Sequence, residues 1–242
     1  MNSILMGYYG YGFYFDPTYW LVIAGAVICM LASANVNSTM KKYQKKTNST
    51  RISGAECARR ILNQEGLYQV QIECLNAGQG DHYDPRTNTV RLSRENYMSA
   101  SITAVGVAAH ECGHAIQHAK GYAPLRLRTA LVPVANFGSK IGMPLILVGI
   151  LFSWNQTLIQ LGIWAFALSV LFQLVTLPVE FNASSRATAK LEQFGILTAD
   201  ENRGCKKVLF AAALTYVAAA ASTILQLLRL IMLFGGNRRK DD

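Results

Sequence analysis

His110 and His114 stand four residues apart, with Glu111 between them, in the run Ala108-Ala109-His110-Glu111-Cys112-Gly113-His114. On a helix, residues four apart lie one above the other, so both imidazoles can reach a single metal ion. Glu111 falls beside them, where its carboxylate could take a proton from a metal-activated water. This is the H-E-x-x-H pattern of zinc hydrolases, with one Zn2+ per chain expected. Chance also produces so short a pattern, so its surroundings must carry the argument. Cys112 lies on another face of the same helix and reads as a packing residue.

A catalytic zinc usually takes three protein ligands and leaves one position for water. His118 is another four residues on, yet about 12 Å from His110 along a straight helix. Ala115-Ile116-Gln117 offers no glycine to turn the chain, so His118 reads as a residue outside the ligand set. Glu180 is the better candidate. It ends a strongly apolar run in Thr176-Leu177-Pro178-Val179-Glu180-Phe181, where a carboxylate is costly unless paired or bound to a cation. Asp81 and Asp84, in a loop with His82, are weaker rivals.

The elements that must position these residues follow from hydropathy and periodicity. Of 242 residues, 51% are hydrophobic and only 15% charged, against about a quarter charged in ordinary soluble domains. The apolar residues fall in blocks of membrane length. Tyr19 to Val36 is one, behind an aromatic cluster (Tyr8, Tyr9, Tyr11, Phe13, Tyr14, Phe15) suited to a headgroup belt. It lacks the basic lead of a cleaved signal and reads as a retained first span. Leu131 to Trp154, kinked at Pro144, and Leu158 to Val179 form a hairpin around Asn155-Gln156. Val208 to Phe234 is interrupted by Ser222, Gln226 and Arg229, and reads either as one tilted span or as a shorter span with an amphipathic tail.

Between the first two spans the chain is polar. Gly54 to Gln64 has helical spacing, Gln69 to Cys74 alternates as a strand, and Thr87 to Ser93 follows the turn signals of Asp84-Pro85-Arg86 as a second strand. Tyr97 to Lys120 reads as one long Ala-rich helix carrying the motif, ended by Gly121. The organisation is thus an N-terminal segment and first transmembrane helix (1–36), a polar part with the motif helix (37–128) and a transmembrane hairpin (129–179). A polar segment with the third ligand (180–207) and a last apolar helix with a basic tail (208–242) complete it. The fold class is mainly α: a multi-pass membrane protein with a small α+β part.

Net charge is +9 and the isoelectric point near 9.4. In such a chain this excess marks cytoplasmic loops rather than nucleic-acid binding. Residues 37–128 and 180–207 hold most of the Lys and Arg, which puts both polar parts in the cytoplasm. With four spans, Arg238-Arg239-Lys240 would fall on the opposite side, against that rule. Five scattered cysteines without C-x-x-C spacing offer neither a disulfide framework nor a thiolate zinc site.

Three segments resemble the neutral zinc metallopeptidases of the YugP type. They are residues 80–93 (Gly80-Asp81-His82-Tyr83-Asp84-Pro85-Arg86 onward to Ser93), residues 110–118, and Leu177-Pro178-Val179-Glu180-Phe181-Asn182-Ala183-Ser184. They occur in the family's order, and the resemblance covers about Asp16 to Leu214. It implies a zincin-like cytoplasmic part and a zinc endopeptidase with a glutamate third ligand, more distantly similar to the HtpX heat-shock proteases and the type I CAAX prenyl protease. In those relatives an acid stands four positions after the ligand glutamate. This chain has Ser184 there, with Asn182 the nearest polar substitute for orienting a metal-bound histidine.

The expected reaction is metal-assisted peptide hydrolysis, with His110, His114 and Glu180 as ligands and Glu111 as proton carrier. Arg186 is a candidate for steadying the tetrahedral intermediate or anchoring Glu180. Asn88, Thr89 and Val90 could bind an extended substrate by backbone pairing. Expected partners are a membrane-associated protein or peptide and the lipid bilayer, and quality control of membrane proteins is one use among several. A site-2 type intramembrane protease would need an L-D-G triplet, which does not occur. The alternative of another class is a non-catalytic membrane scaffold or metal transporter; the near absence of ionisable residues within the spans argues against transport.

Overall fold

A computed structural model describes residues 16–76 and 78–235. The aromatic cluster before Asp16 and the basic tail after Gly235 lie outside them. Four helices are long and apolar enough to cross a membrane: α1 (Tyr19–Gln44), α5 (Ala123–Leu151), α6 (Gln156–Gln193) and α7 (Ala199–Phe234). Between α1 and α5 come α2 (Gly54–Gln64), β1 (Gln71–Leu75), β2 (His82–Asp84), β3 (Thr89–Ser93), α3 (Arg94–Met98) and α4 (Ile102–Ala119), which carries the motif.

The extramembrane part has its own core. Cys57, Ala58, Ile61 and Leu62 of α2 pack on Val105, Ala108, Ala109, Cys112 and Ile116 of α4, with Val90 and Leu92 of β3 closing the layer. Ser53 and Glu56 start α2 as a reciprocal capping box, satisfying two otherwise orphaned amides. The strands form one sheet in the order β1-β3-β2, with β1 parallel and β2 antiparallel to β3.

Three expectations about elements need correction. The motif helix does not begin at Tyr97. The chain breaks at Ser99, which is extended, and Ser101 caps α4 by accepting from the Ala104 amide. The break is held because its backbone pairs with the 46–54 segment: Asn48 N donates to Ala100 O, Gly54 N to Ser99 O, and Ile102 N to Lys46 O. The helix of the third span does not stop at Val179 either. Residues 180–193 continue α6, because only hydropathy changes there and no helix breaker follows Pro178; Gly195, at φ 60°, ends the helix. Likewise α7 begins at Ala199, nine residues before the apolar run, from a capping box between Thr198 and Glu201.

The spanning helices share one far end. Arg229 pairs with Asp16 at 3.5 Å and lies over the Tyr19 ring, while Trp154 in the α5–α6 turn meets Phe234 at 6.1 Å. Of the two readings of the last apolar run, this favours the full crossing: α7 reaches the level of the hairpin turn.

Candidate metal centre

The site is built where α4 touches α6 with almost nothing between them. A Cβ placed on Gly113 would lie 2.6 Å from the Ala183 carbonyl oxygen, so only glycine permits this approach. Ala183 is flanked at helical spacing by Glu180 and Ser184, which are thereby brought onto the histidine face of α4. At the far end of α4, Gly121 at φ 61° closes the helix. Its amide bonds to His118 O and that of Tyr122 to Gln117 O, the paired pattern of a Schellman ending.

His110 Nε2 lies 3.3 Å and His114 Nε2 3.7 Å from the same oxygen, Oε2 of Glu180. The two rings meet edge-on at 88°, and the three ligand atoms lie within 4.8 Å of one another. A tetrahedral zinc with ligands at 2.0–2.2 Å sets neighbouring ligand atoms about 3.3–3.6 Å apart. The donor set fits one zinc ion, and the 3.3 and 3.7 Å separations from Glu180 come close to that spacing. Glu180 is only 2% exposed, and its other oxygen takes an ion pair from Arg128 Nη1 of α5 at 3.3 Å.

The imidazoles are held from behind. His114 Nδ1 contacts Gln117 Oε1 at 3.0 Å, and Gln117 Nε2 donates to Val179 O at 2.9 Å and Asn182 Oδ1 at 3.0 Å. A carbonyl can only accept, so the amide nitrogen must face Val179 and the amide oxygen must face His114. Nδ1 of His114 therefore carries a hydrogen, and Nε2 is the nitrogen turned toward Glu180. Arg186 Nε fixes Asn182 Oδ1 at 2.7 Å, and its guanidinium lies over the Tyr122 ring. His110 Nδ1 meets Ser184 Oγ at 3.1 Å. Burial opposes charge on His114, but the Glu180 hydrogen bond and the charges of Glu111 and Glu180 outweigh it and raise its pKa.

Glu111 is buried, on the histidine helix, and its carboxylate makes no hydrogen bond or ion pair among the described residues. The Tyr216 side chain of α7 neighbours Glu180. Cys112 is fully buried against Ala58 O; burial and then the Glu111 charge push its thiol well up, so it packs and does not ligate.

Other expected residues lie apart. His118 Nδ1 contacts the Tyr83 hydroxyl at 2.8 Å, and that hydroxyl donates to Asn88 Oδ1 at 3.0 Å. Asp81 accepts from Ser93 N and Asn96 Nδ2. Asp84 pairs with Arg91 at 2.8 Å. Arg186 does not anchor Glu180; Arg128 does, from a helix the sequence reading did not connect to the site. Asn182 acts on His114 through Gln117, and Ser184 itself occupies the position of the relatives' acid. Thr89 and Val90 lie in the middle strand, paired on one side with Gln71 and Ile72 and on the other with Asp84 and Tyr83. Asn88 O is taken by Gln71 N. With both edges occupied, Thr89 and Val90 do not offer a strand edge to a substrate.

The signals for the missed residues were local. Gln117 follows His114 by three, on the same helix face. Arg128 stands at the border of a span, where a buried acid on the neighbouring span needs a counter-charge.

A family model described as "Putative neutral zinc metallopeptidase" matches residues 18–235. The chain belongs to this family. It is 46% identical over 219 residues to "Putative membrane protease YugP" of Bacillus subtilis (strain 168), covering 90% of this chain and 97% of that protein. No solved structure matches it. The zinc in the family's description accords with the cluster of His110, His114 and Glu180, and the membrane named for the Bacillus relative with the four apolar helices.

Proposed function

We propose that this protein is a membrane-embedded zinc endopeptidase whose polar part faces the cytoplasm. The observation that carries the reading is the convergence of His110 Nε2 and His114 Nε2 on one buried Glu180 oxygen, at 3.3 and 3.7 Å, with an uncommitted carboxylate, Glu111, on the same helix. A zinc ion held there would supply Lewis acidity and bring a bound water's pKa near neutrality. Glu111 accepts the proton of the attacking water at its carboxylate and returns it to the leaving amine. Gln117 and Ser184 hold the two imidazoles with their Nε2 atoms facing the centre. Arg128 pairs with Glu180 and holds it oriented, and its guanidinium would stay near the developing negative charge. Lys and Arg distribution supports the cytoplasmic orientation.

For an extended substrate the available backbone is the free edge of β2, not β3. β2 is an outer strand of the sheet and is tied to the motif helix by the Tyr83–His118 contact. Edge pairing of this kind gives affinity through main-chain hydrogen bonds.

The test is metal content beside proteolysis in purified protein. One zinc per chain is expected, with Glu111→Gln retaining the metal and losing peptide hydrolysis. Undiminished proteolysis in Glu111→Gln would overturn the assignment.

A further inference from the structure

The helices carry a ruler for the depth of the metal centre. α1 and α7 pack antiparallel: Gly25 abuts Ser222, Cys29 Sγ reaches Ala218 O at 3.6 Å, and Tyr43 lies against Gly204. Four residues along α1 match four back along α7, and fourteen match fourteen, so the register does not drift. Tyr216, which neighbours Glu180, is therefore level with Leu31, inside the apolar run of α1.

Distances from the far face bracket the thickness of the hydrocarbon core. From Phe234 back to Tyr216 is about 27 Å of helix, and from Gln156 to Glu180 about 36 Å, against a hydrocarbon core of about 30 Å. Toward the near side, the first exposed amides of α1, Asn35 and Asn37, come four and six residues beyond Leu31, about 6–9 Å further. On α7 no charged residue intervenes between Tyr216 and Lys207, about 13 Å. Around the site each spanning helix turns a large apolar side chain outward: Leu31 on α1, Leu127 on α5, Phe181 on α6 and Val217 on α7. Exposed polar side chains do occur below this ring, Asn136, Ser139 and Lys140 on α5 among them.

We propose that the metal centre lies in the plane where hydrocarbon gives way to headgroups, and that its substrates are membrane-anchored polypeptides cut close to where their own apolar segment leaves the bilayer. This rests on the peptidase reading and names its substrate class. A chain emerging from the bilayer meets the centre at its own depth, whereas a free peptide must first enter the interface. Anchoring also makes the encounter effectively intramolecular.

The experiment uses the full chain in phosphatidylethanolamine–phosphatidylglycerol vesicles. Its substrates are single-span polypeptides that carry one cleavable linker at increasing distance from the apolar segment, with the same linker supplied as a free peptide. Cleavage within about five residues of the border is expected, since an extended residue spans about 3.3–3.6 Å. A preference over the free peptide of at least about tenfold in kcat/KM is expected as well. Depth is read separately, in a Cys74→Ser background, from fluorophores at Leu127→Cys and Val217→Cys with Lys207→Cys as reference. The first two should be quenched by lipid-borne nitroxide and the reference by aqueous iodide. Equal cleavage of the free peptide, cleavage indifferent to distance from the border, or iodide quenching at Leu127→Cys and Val217→Cys would each overturn the proposal. If no polypeptide is cut although the labels report bilayer depth, the peptidase reading itself fails, and the substrate proposal with it.

Discussion

On the β2 side of the molecule, Asp81, His82, Asp84 and His118 gather two acids and two imidazoles; on the α4–α6 face, His110, His114 and Glu180 gather fewer. The first set does not converge. Asp81 is taken by a backbone amide and Asn96, and His82 rests on Gly80 O. Asp84 is held at a pKa of about 2, chiefly by its Arg91 hydrogen bond. Each group there already has partners that fold the loop. In the second set, hydrogen bonds from behind leave one face of each side chain turned to a common point. A metal centre is distinguished by where its lone pairs are aimed, and the count of donors matters less.

The contrast can be broken most severely by Glu180→Ala. Metal affinity should fall by more than the roughly 10–100-fold that loss of a ligand's hydrogen-bond partner costs, measured by competition with a chromophoric chelator. Glu111→Gln should leave that affinity nearly intact and lower kcat by about 100–10,000-fold, the usual span of positioned proton transfer. Gly113→Ala forces a methyl against the Ala183 backbone, so overpacking of about 1–3 kcal/mol is expected. Thermal unfolding should show it, together with weakened metal binding. Gln117→Leu removes the partner of His114 Nδ1 and should weaken metal binding by about 10–100-fold, with a new His114 tautomer visible by nitrogen NMR. At the small end, Asp84→Asn and His118→Ala should leave metal affinity unchanged. A large loss in either would dissolve the distinction between the two sets.

Acid sharpens it further. The pKa of His114 is raised above its ordinary value, so in the metal-free protein its proton is held to higher pH than in an ordinary histidine. Zinc loading at limiting metal should therefore be full at alkaline pH and fall as pH drops through that raised value. Asp84, titrating near 2, should contribute nothing in that window.

Much of this was legible in the residues. The motif helix, α2, two strands and the apolar runs follow from periodicity and hydropathy, and Glu180 from the cost of an acid at the end of an apolar run. What escaped has physical reasons. Hydropathy marks the edge of the bilayer rather than the end of a helix, so the continuation of α6 past Glu180 was invisible. The break at Ser99 depends on backbone pairing with a segment some fifty residues earlier. β2 is three residues long, too short to show alternation, and without it β3 reads as an edge. Arg128 and Glu180 are far apart in sequence, and only the hairpin between them makes them neighbours.

The contact of Gly113 with Ala183 has a consequence for the life of the molecule. The imidazoles ride a helix that does not span, and the acid rides one that does. A newly made chain whose hairpin has yet to insert would thus own two thirds of a grip and no working blade. On the proposed function, threading into the bilayer would itself complete the site.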